Sequence, residues 1–272
     1  MVHFTTPEHI FALHPLPDGK CIAATSQGVW QLEPFDRWTE LALGQVALTA
    51  LTASAGRLIV GSSSDIALSD DGGATWQLAR IPIQGQIAAL RASPTFAQDG
   101  VALAATAADG VWRTTTRGAS WFAWNHGLID LRVNDVAFSP RFAEDEIALA
   151  ATESGLFISY NGGRAWRELM TPAGSTPFTC VAVEESALHA FAGTEDGLWV
   201  AEPPFEQWQL ELAGSAINAL ALPYAATSDG IFIRCDGRWS PVSSISDGVC
   251  LAVLPTVLVV GTAGDGVWVL AQ

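Results

Sequence analysis

Carboxylates recur at one place in this chain. A polar turn between an apolar run and an apolar–aromatic pair carries Asp65, Asp109, Glu153, Glu195 with Asp196, Asp229 and Asp265, which is six of its seven copies. Gathered round one opening, these groups would form an acidic collar that attracts a basic segment or a cation. Asp before Gly also favours a tight turn for local reasons, and the residues alone leave both readings open. A second cluster lies in 124–132, where Trp124, Asn125, His126, Asp130 and Arg132 combine a tryptophan outside the repeat positions with a histidine and both signs of charge. Loops of that composition bind partners, and packing is the alternative role for Trp124.

Catalytic patterns are sparse. The sequence has no G-x-S-x-G elbow, H-E-x-x-H pair or phosphate-cradling glycine loop. His3, His9, His14, His126 and His189 are scattered, and neither Tyr160 nor Tyr224 stands by a recognisable base. Cys21, Cys180, Cys235 and Cys250 lie far apart, three of them in apolar runs, so they read as small buried thiols rather than metal ligands or obligatory disulfides. No metal or cofactor is expected.

The elements that must position these residues repeat. A short apolar run, a polar turn and Gly-apolar-aromatic recur seven times at a mean spacing of about 40 residues, the size of a four-stranded propeller blade. The fourth copy shows the pieces as strands: 133–138, 147–152, 155–159 and 165–169. The first two are Ala/Val/Ile/Leu-rich with little alternation, as strands covered on both faces should be. A helical reading of 87–92 fails on Pro94. Connections SPTFAQDG (93–100) and SPRFAEDE (139–146) lengthen two of the copies. The last copy ends after its third strand, which predicts that the β-prone segment from Val2 to Thr6 completes it and closes the ring. The expected fold is thus all-β: one seven-bladed β-propeller domain over 1–272, with four-stranded antiparallel blades and almost no helix.

Charge narrows the partners. The 272 residues include 28 acidic against 13 basic, a formal charge of −15, which disfavours nucleic acid and anionic lipid surfaces. No apolar stretch reaches bilayer length, and the first residues lack a basic segment followed by a long apolar run, so a cytoplasmic protein is expected.

Ser69-Asp70-Asp71-Gly72-Gly73-Ala74-Thr75-Trp76 resembles the Asp-box, or BNR repeat, of sialidase-like propellers. Degraded copies stand at 114–121 and 159–166, a contracted one at 235–239, and remnants at Phe35-Asp36-Arg37-Trp38 and Phe205-Glu206-Gln207-Trp208. The SPxFAxD connections resemble those of photosystem assembly factors and xyloglucanase-like propellers. The resemblance implies a structural hairpin between third and fourth strands, away from the usual active-site face, built by Ser69, Asp71, Gly73, Thr75 and Trp76, with Trp121 and Trp166 as equivalent plugs. Sialidase chemistry would need an arginine cluster and an activated tyrosine, whereas Arg37, Arg117, Arg164 and Arg238 lie at box turns. The expectation is a non-catalytic scaffold binding a protein, possibly basic, on the acidic turn face. A glycan-binding module or glycoside hydrolase is the alternative.

Overall fold

A computed structural model describes residues 1–5, 7, 9–33, 37–41, 43, 44, 46–79, 81–186 and 188–272. Phe35 and Asp36 of the first box remnant, and Thr6 of the closing segment, lie outside them. The chain forms seven four-stranded antiparallel sheets, six of them running from an inner strand outward in chain order. The inner strands are Ile10–Pro15, Ala50–Ser54, Ile87–Ala92, Val133–Phe138, Phe178–Val183, Ile217–Ala221 and Gly248–Val253. Each packs against the inner strands of both neighbours, the seventh against the first. The result is a seven-bladed β-propeller.

Composition explains the blades. Second strands such as Cys21–Thr25, Ala102–Thr106, Ala148–Thr152 and Ala190–Thr194 are buried at every residue, and their small side chains let flanking blades approach on both faces. Six second strands end in threonine, and Ser62 directly follows the remaining one. Thr25, Thr106, Thr152, Thr194, Thr227 and Thr262 donate across the turn to the carbonyl of the glycine that follows, at 2.8–2.9 Å, and Ser62 does so to Asp65 at 3.3 Å.

The long connections are compact. Ser93 donates to Asp99 at 2.7 Å and Ser139 to Asp145 at 2.6 Å, each across a one-turn helix, Phe96–Asp99 or Phe142–Asp145, whose phenylalanine is buried. These two turns are the α-helix found among the described residues, and none is long and apolar enough to cross a membrane.

Val2–Phe4 closes the ring as the outer strand of the last blade. Its partners are antiparallel, Val2 to Val269, His3 to Trp268 and Phe4 to Val267, and the His3 ring stacks on Trp268 at 3.9 Å.

The box hairpin forms as its residues dictate. Asp71 accepts from Ser69 Oγ at 2.8 Å, Thr75 N at 2.9 Å and Thr75 Oγ1 at 2.6 Å, while Gly73, at φ +95°, donates to Ser69 Oγ. The Trp76 indole donates to the Gly73 carbonyl at 3.0 Å. Any short acceptor serves in Asp71's place: Thr116 accepts from Ser120 N at 2.9 Å and Asn161 from Ala165 N at 2.8 Å. Trp121 and Trp166 are buried, and whereas the Trp121 indole bonds the Gly118 carbonyl of its own turn, that of Trp166 bonds the Trp124 carbonyl. The contracted box places Trp239 Nε1 on Glu211 of the preceding blade at 2.8 Å.

The Thr75 bonds, side chain then backbone, followed by that of Ser69, hold the Asp71 carboxyl down to about 2. Because the folded value lies below the ordinary one, its stabilisation is present above about 4 and disappears as pH falls through 2. A carboxyl-detected NMR titration should give Asp71 a midpoint near 2, and Thr75→Val should move it upward. An Asp71 midpoint at the ordinary value would contradict this hairpin geometry.

Candidate binding face and central channel

Antiparallel order puts two kinds of connection on one face of the ring: the turns between second and third strands, and the links from each outer strand to the next inner strand. The box hairpins and SPxFAxD loops lie on the other face. All the collar carboxylates therefore share the turn face with 124–132. Asp65, Glu195, Asp196, Asp229 and Asp265 are exposed, and Asp109 and Glu153 are partly buried.

The turns do not need these acids. The closing hydroxyl also accepts the N–H of a turn residue, as Thr106 does from Asp109 and Thr227 from Asp229, and it accepts equally from Gln27 and Ser154. Several carboxylates hold neighbours instead. Asp109 caps the N–H groups of Gln84 and Gly85 at 2.7 and 3.1 Å, Glu153 accepts from Asn134 at 2.8 Å, and Asp229 accepts from Ser215. Asp265 lies 3.4 Å from His3 of the closing strand. Among the described residues, Glu195 and Asp196 have no side-chain hydrogen bond.

In the 124–132 link, backbone geometry takes much of what the sequence suggested for binding. Asn125 accepts from Val111 N and donates to the Asp109 carbonyl, each at 2.8 Å, clamping the neighbouring hairpin. The His126 carbonyl accepts from Trp166 N at 2.8 Å, and a side chain on Gly127 would collide with the Trp166 carbonyl. Asp130 pairs with Arg132 at 3.1 Å. Burial raises the Asp130 carboxyl, but the backbone and side-chain bonds from Arg132 outweigh it and leave the group below its ordinary value. What this link offers solvent is apolar: Ile129 is 73% exposed, Leu131 40% and Trp124 38%. Sequence reading named only Trp124 of these three, because an apolar residue beside a strand looks like core until the turn is placed.

The inner strands enclose a cavity of about 380 Å³ lined by all seven. Most enter through a β-bulge at their second residue, whose side chain reaches the next blade: Asn134 to the Phe178 carbonyl at 3.0 Å, Thr179 to Ile217 at 2.5 Å, Asn218 to Gly248 at 3.1 Å. About 10 Å deeper, three residues along strands rising about 3.3 Å each, sits a second polar layer. His14, Thr52 and Arg91 occupy one register position in three consecutive blades, where the other four carry Ala137, Ala182, Ala221 and Ala252.

Arg91 Nη2 lies 2.9 Å from Oδ1 of Asp135 on the next inner strand. Asp135 also accepts Val136 N at 2.9 Å and, one blade further, Val181 N at 3.2 Å. Burial pushes the Asp135 carboxyl up, with Arg91 the leading opposing influence. Burial, reinforced by the Arg91 charge, drives His14 down to about 4, so its imidazole is neutral at neutral pH. The expectation that the arginines gather at box turns overlooked Arg91. The signal was available in the repeat alignment, which sets Arg91 against alanine in four copies and Asp135 against Ala or Cys in the other six.

No protein-family model matches the chain, and no curated protein matches it. Solved structures do. The extracellular domain of the putative one component system BT4673 from B. thetaiotaomicron has a TM-score of 0.80 at 11% identity, covering 98% of this chain, which spans only 39% of that one. The WD40 β-propeller domain of Doa1 gives 0.77 at 15% identity, and YCF48 bound to a D1 peptide gives 0.74 at 13%, each covering 100% of this chain and 94% of the other. At such identities the likeness is one of fold.

Proposed function

We propose that this chain is a non-catalytic interaction propeller of the Asp-box type that binds a basic, partly apolar protein segment on its turn face. The charge distribution carries the reading. Among the described residues of the turns and links on that face stand Asp65, Asp109, Asp130, Glu153, Glu195, Asp196, Asp229, Asp247 and Asp265, against Arg132 as the one Lys or Arg. Arg132 is already neutralised by Asp130. Exposed Ile129, Leu131 and, at the channel mouth, Phe11 supply apolar anchors amid that field. Carboxylates steer a cationic partner, and desolvated apolar contacts hold it. Peptide binding by a propeller has a solved precedent in YCF48 with its D1 peptide, a protein this chain resembles in fold.

Binding of lysine-rich peptides with interspersed Leu or Phe tests the reading. Reversing Glu195, Asp196 and Asp229 together to Lys should weaken the best binder by about tenfold or more at low salt and flatten its salt dependence. Ile129→Ser with Leu131→Ser should weaken it at every ionic strength. Glu144→Lys with Glu185→Lys, on the opposite face, should leave it unchanged. Equal losses from the two sets of charge reversals would refute the turn face as the binding surface.

A further inference from the structure

We propose that the central channel is a separate binding site for a small monocarboxylate, anchored on Arg91. The cavity has the volume for it. About 380 Å³ is within the range of small-molecule pockets and corresponds to on the order of a dozen waters.

The donor set selects the ligand. A guanidinium has five N–H donors. Arg91 uses one on Asp135 and one on its own Leu90 carbonyl at 3.1 Å, and among the described residues the others have no protein acceptor. The Arg91 side chain remains 43% exposed while Asp135 is 9% exposed, so the lumen meets donors rather than the carboxylate that holds them. Asp135 is a positioning residue. Its bonds to Val136 N and Val181 N fix it across two blades, and it fixes the guanidinium in turn.

Thr52 stands next to Arg91 in register on the preceding blade, with His14 one blade beyond it. Thr52 Oγ1 accepts from Ala92 N at 3.3 Å, which leaves its hydroxyl hydrogen free to donate. The neutral His14 imidazole bonds the Ala53 carbonyl and borders the site without adding a second charge. The guanidinium donors left unused by Asp135 match one carboxylate, and the second charge of a dianion would find no donor beneath an acidic face. The planar fork matches a carboxylate in shape as well as charge. Ala219, Leu220, Val249, Cys250 and Leu251 of the sixth and seventh blades line the cavity and give an apolar side for the rest of the ligand.

Titrating the whole protein with propionate and benzoate, and with propionamide and benzamide as uncharged counterparts, tests the site. Calorimetry should show saturable binding of a carboxylate and at least tenfold weaker binding of its amide. The His14 ring resonances should shift in the same titration, placing the ligand in the channel. Because Arg91→Gln alone strands a buried carboxylate, the decisive variant is Arg91→Gln with Asp135→Asn, which removes both charges. It should remain folded and lose at least tenfold in carboxylate affinity. Unchanged affinity in that variant, equal response to acid and amide, or binding that leaves His14 unmoved would each overturn the proposal.

Discussion

Deleting residues 1–7 is expected to lower the melting temperature by roughly 10 °C and to make the protein aggregate on heating. The segment contributes three ladder pairs, the His3 stack on Trp268 and the partly buried Phe4 in the cluster joining the last and first blades. At about 1 kcal/mol per ladder bond and a further kcal/mol or two for the apolar contact, the loss is near 4 kcal/mol. A chain of this size shifts by about 2–4 °C per kcal/mol. The deletion also uncovers the full edge of Val267–Ala271, an unpaired template for another chain. Calorimetry of the truncated protein measures the loss, and a peptide of residues 1–9 added in trans should restore part of it. An unchanged melting temperature would show that the ring closes without this strand.

Asp135→Ala is expected to cost about 3–5 kcal/mol, the usual penalty for breaking a buried ion pair by removing one partner. The change also leaves Val136 N and Val181 N without their acceptor, so it loosens the fourth blade from the fifth as well as from the third. Arg91→Gln should behave differently with pH. Without the guanidinium, burial acts on Asp135 unopposed by its main counter-charge, and its folded value rises further above the unfolded one. A group shifted that way stabilises the fold fully below the ordinary carboxylate range and loses that contribution as pH rises through the folded value. Arg91→Gln should therefore approach wild-type stability near pH 4 and fall away toward neutrality, whereas Asp135→Ala should lack this slope. Denaturant unfolding across that range separates the two, and parallel profiles would mean that the pair does not govern the seam.

Local chemistry made the blades legible. The box at 69–76 folds through bonds within its own turn, so its residue types suffice to specify it, and Thr116 and Asn161 show why degraded copies still work. The Ala-rich second strands and the glycines that end their turns announce their role by composition, and the missing last strand announced its donor. Even the SPxFAxD connection carries its own closure, Ser to Asp six residues on.

The candidate sites were legible only in part. Repeat phase placed the collar acids on one face, but it did not distinguish Glu195 and Asp196, which are exposed, from Asp109, whose carboxylate caps a neighbouring link. Asn125 looked like an interaction residue and is a clamp, because its partners, Val111 and Asp109, lie on a hairpin that only the folded blade brings to it.

The sequence by itself determined the repeat, the number of blades, the box hairpins and the strand that closes the ring, since each follows from periodicity or from contacts within a few residues. Only the tertiary structure decided where the channel carries charge. Arg91 and Asp135 belong to different copies, and they meet because closure brings adjacent inner strands together with a diagonal offset. That offset is a property of the packed ring, set by bulges and by the small residues between blades, and nothing local to either residue encodes it.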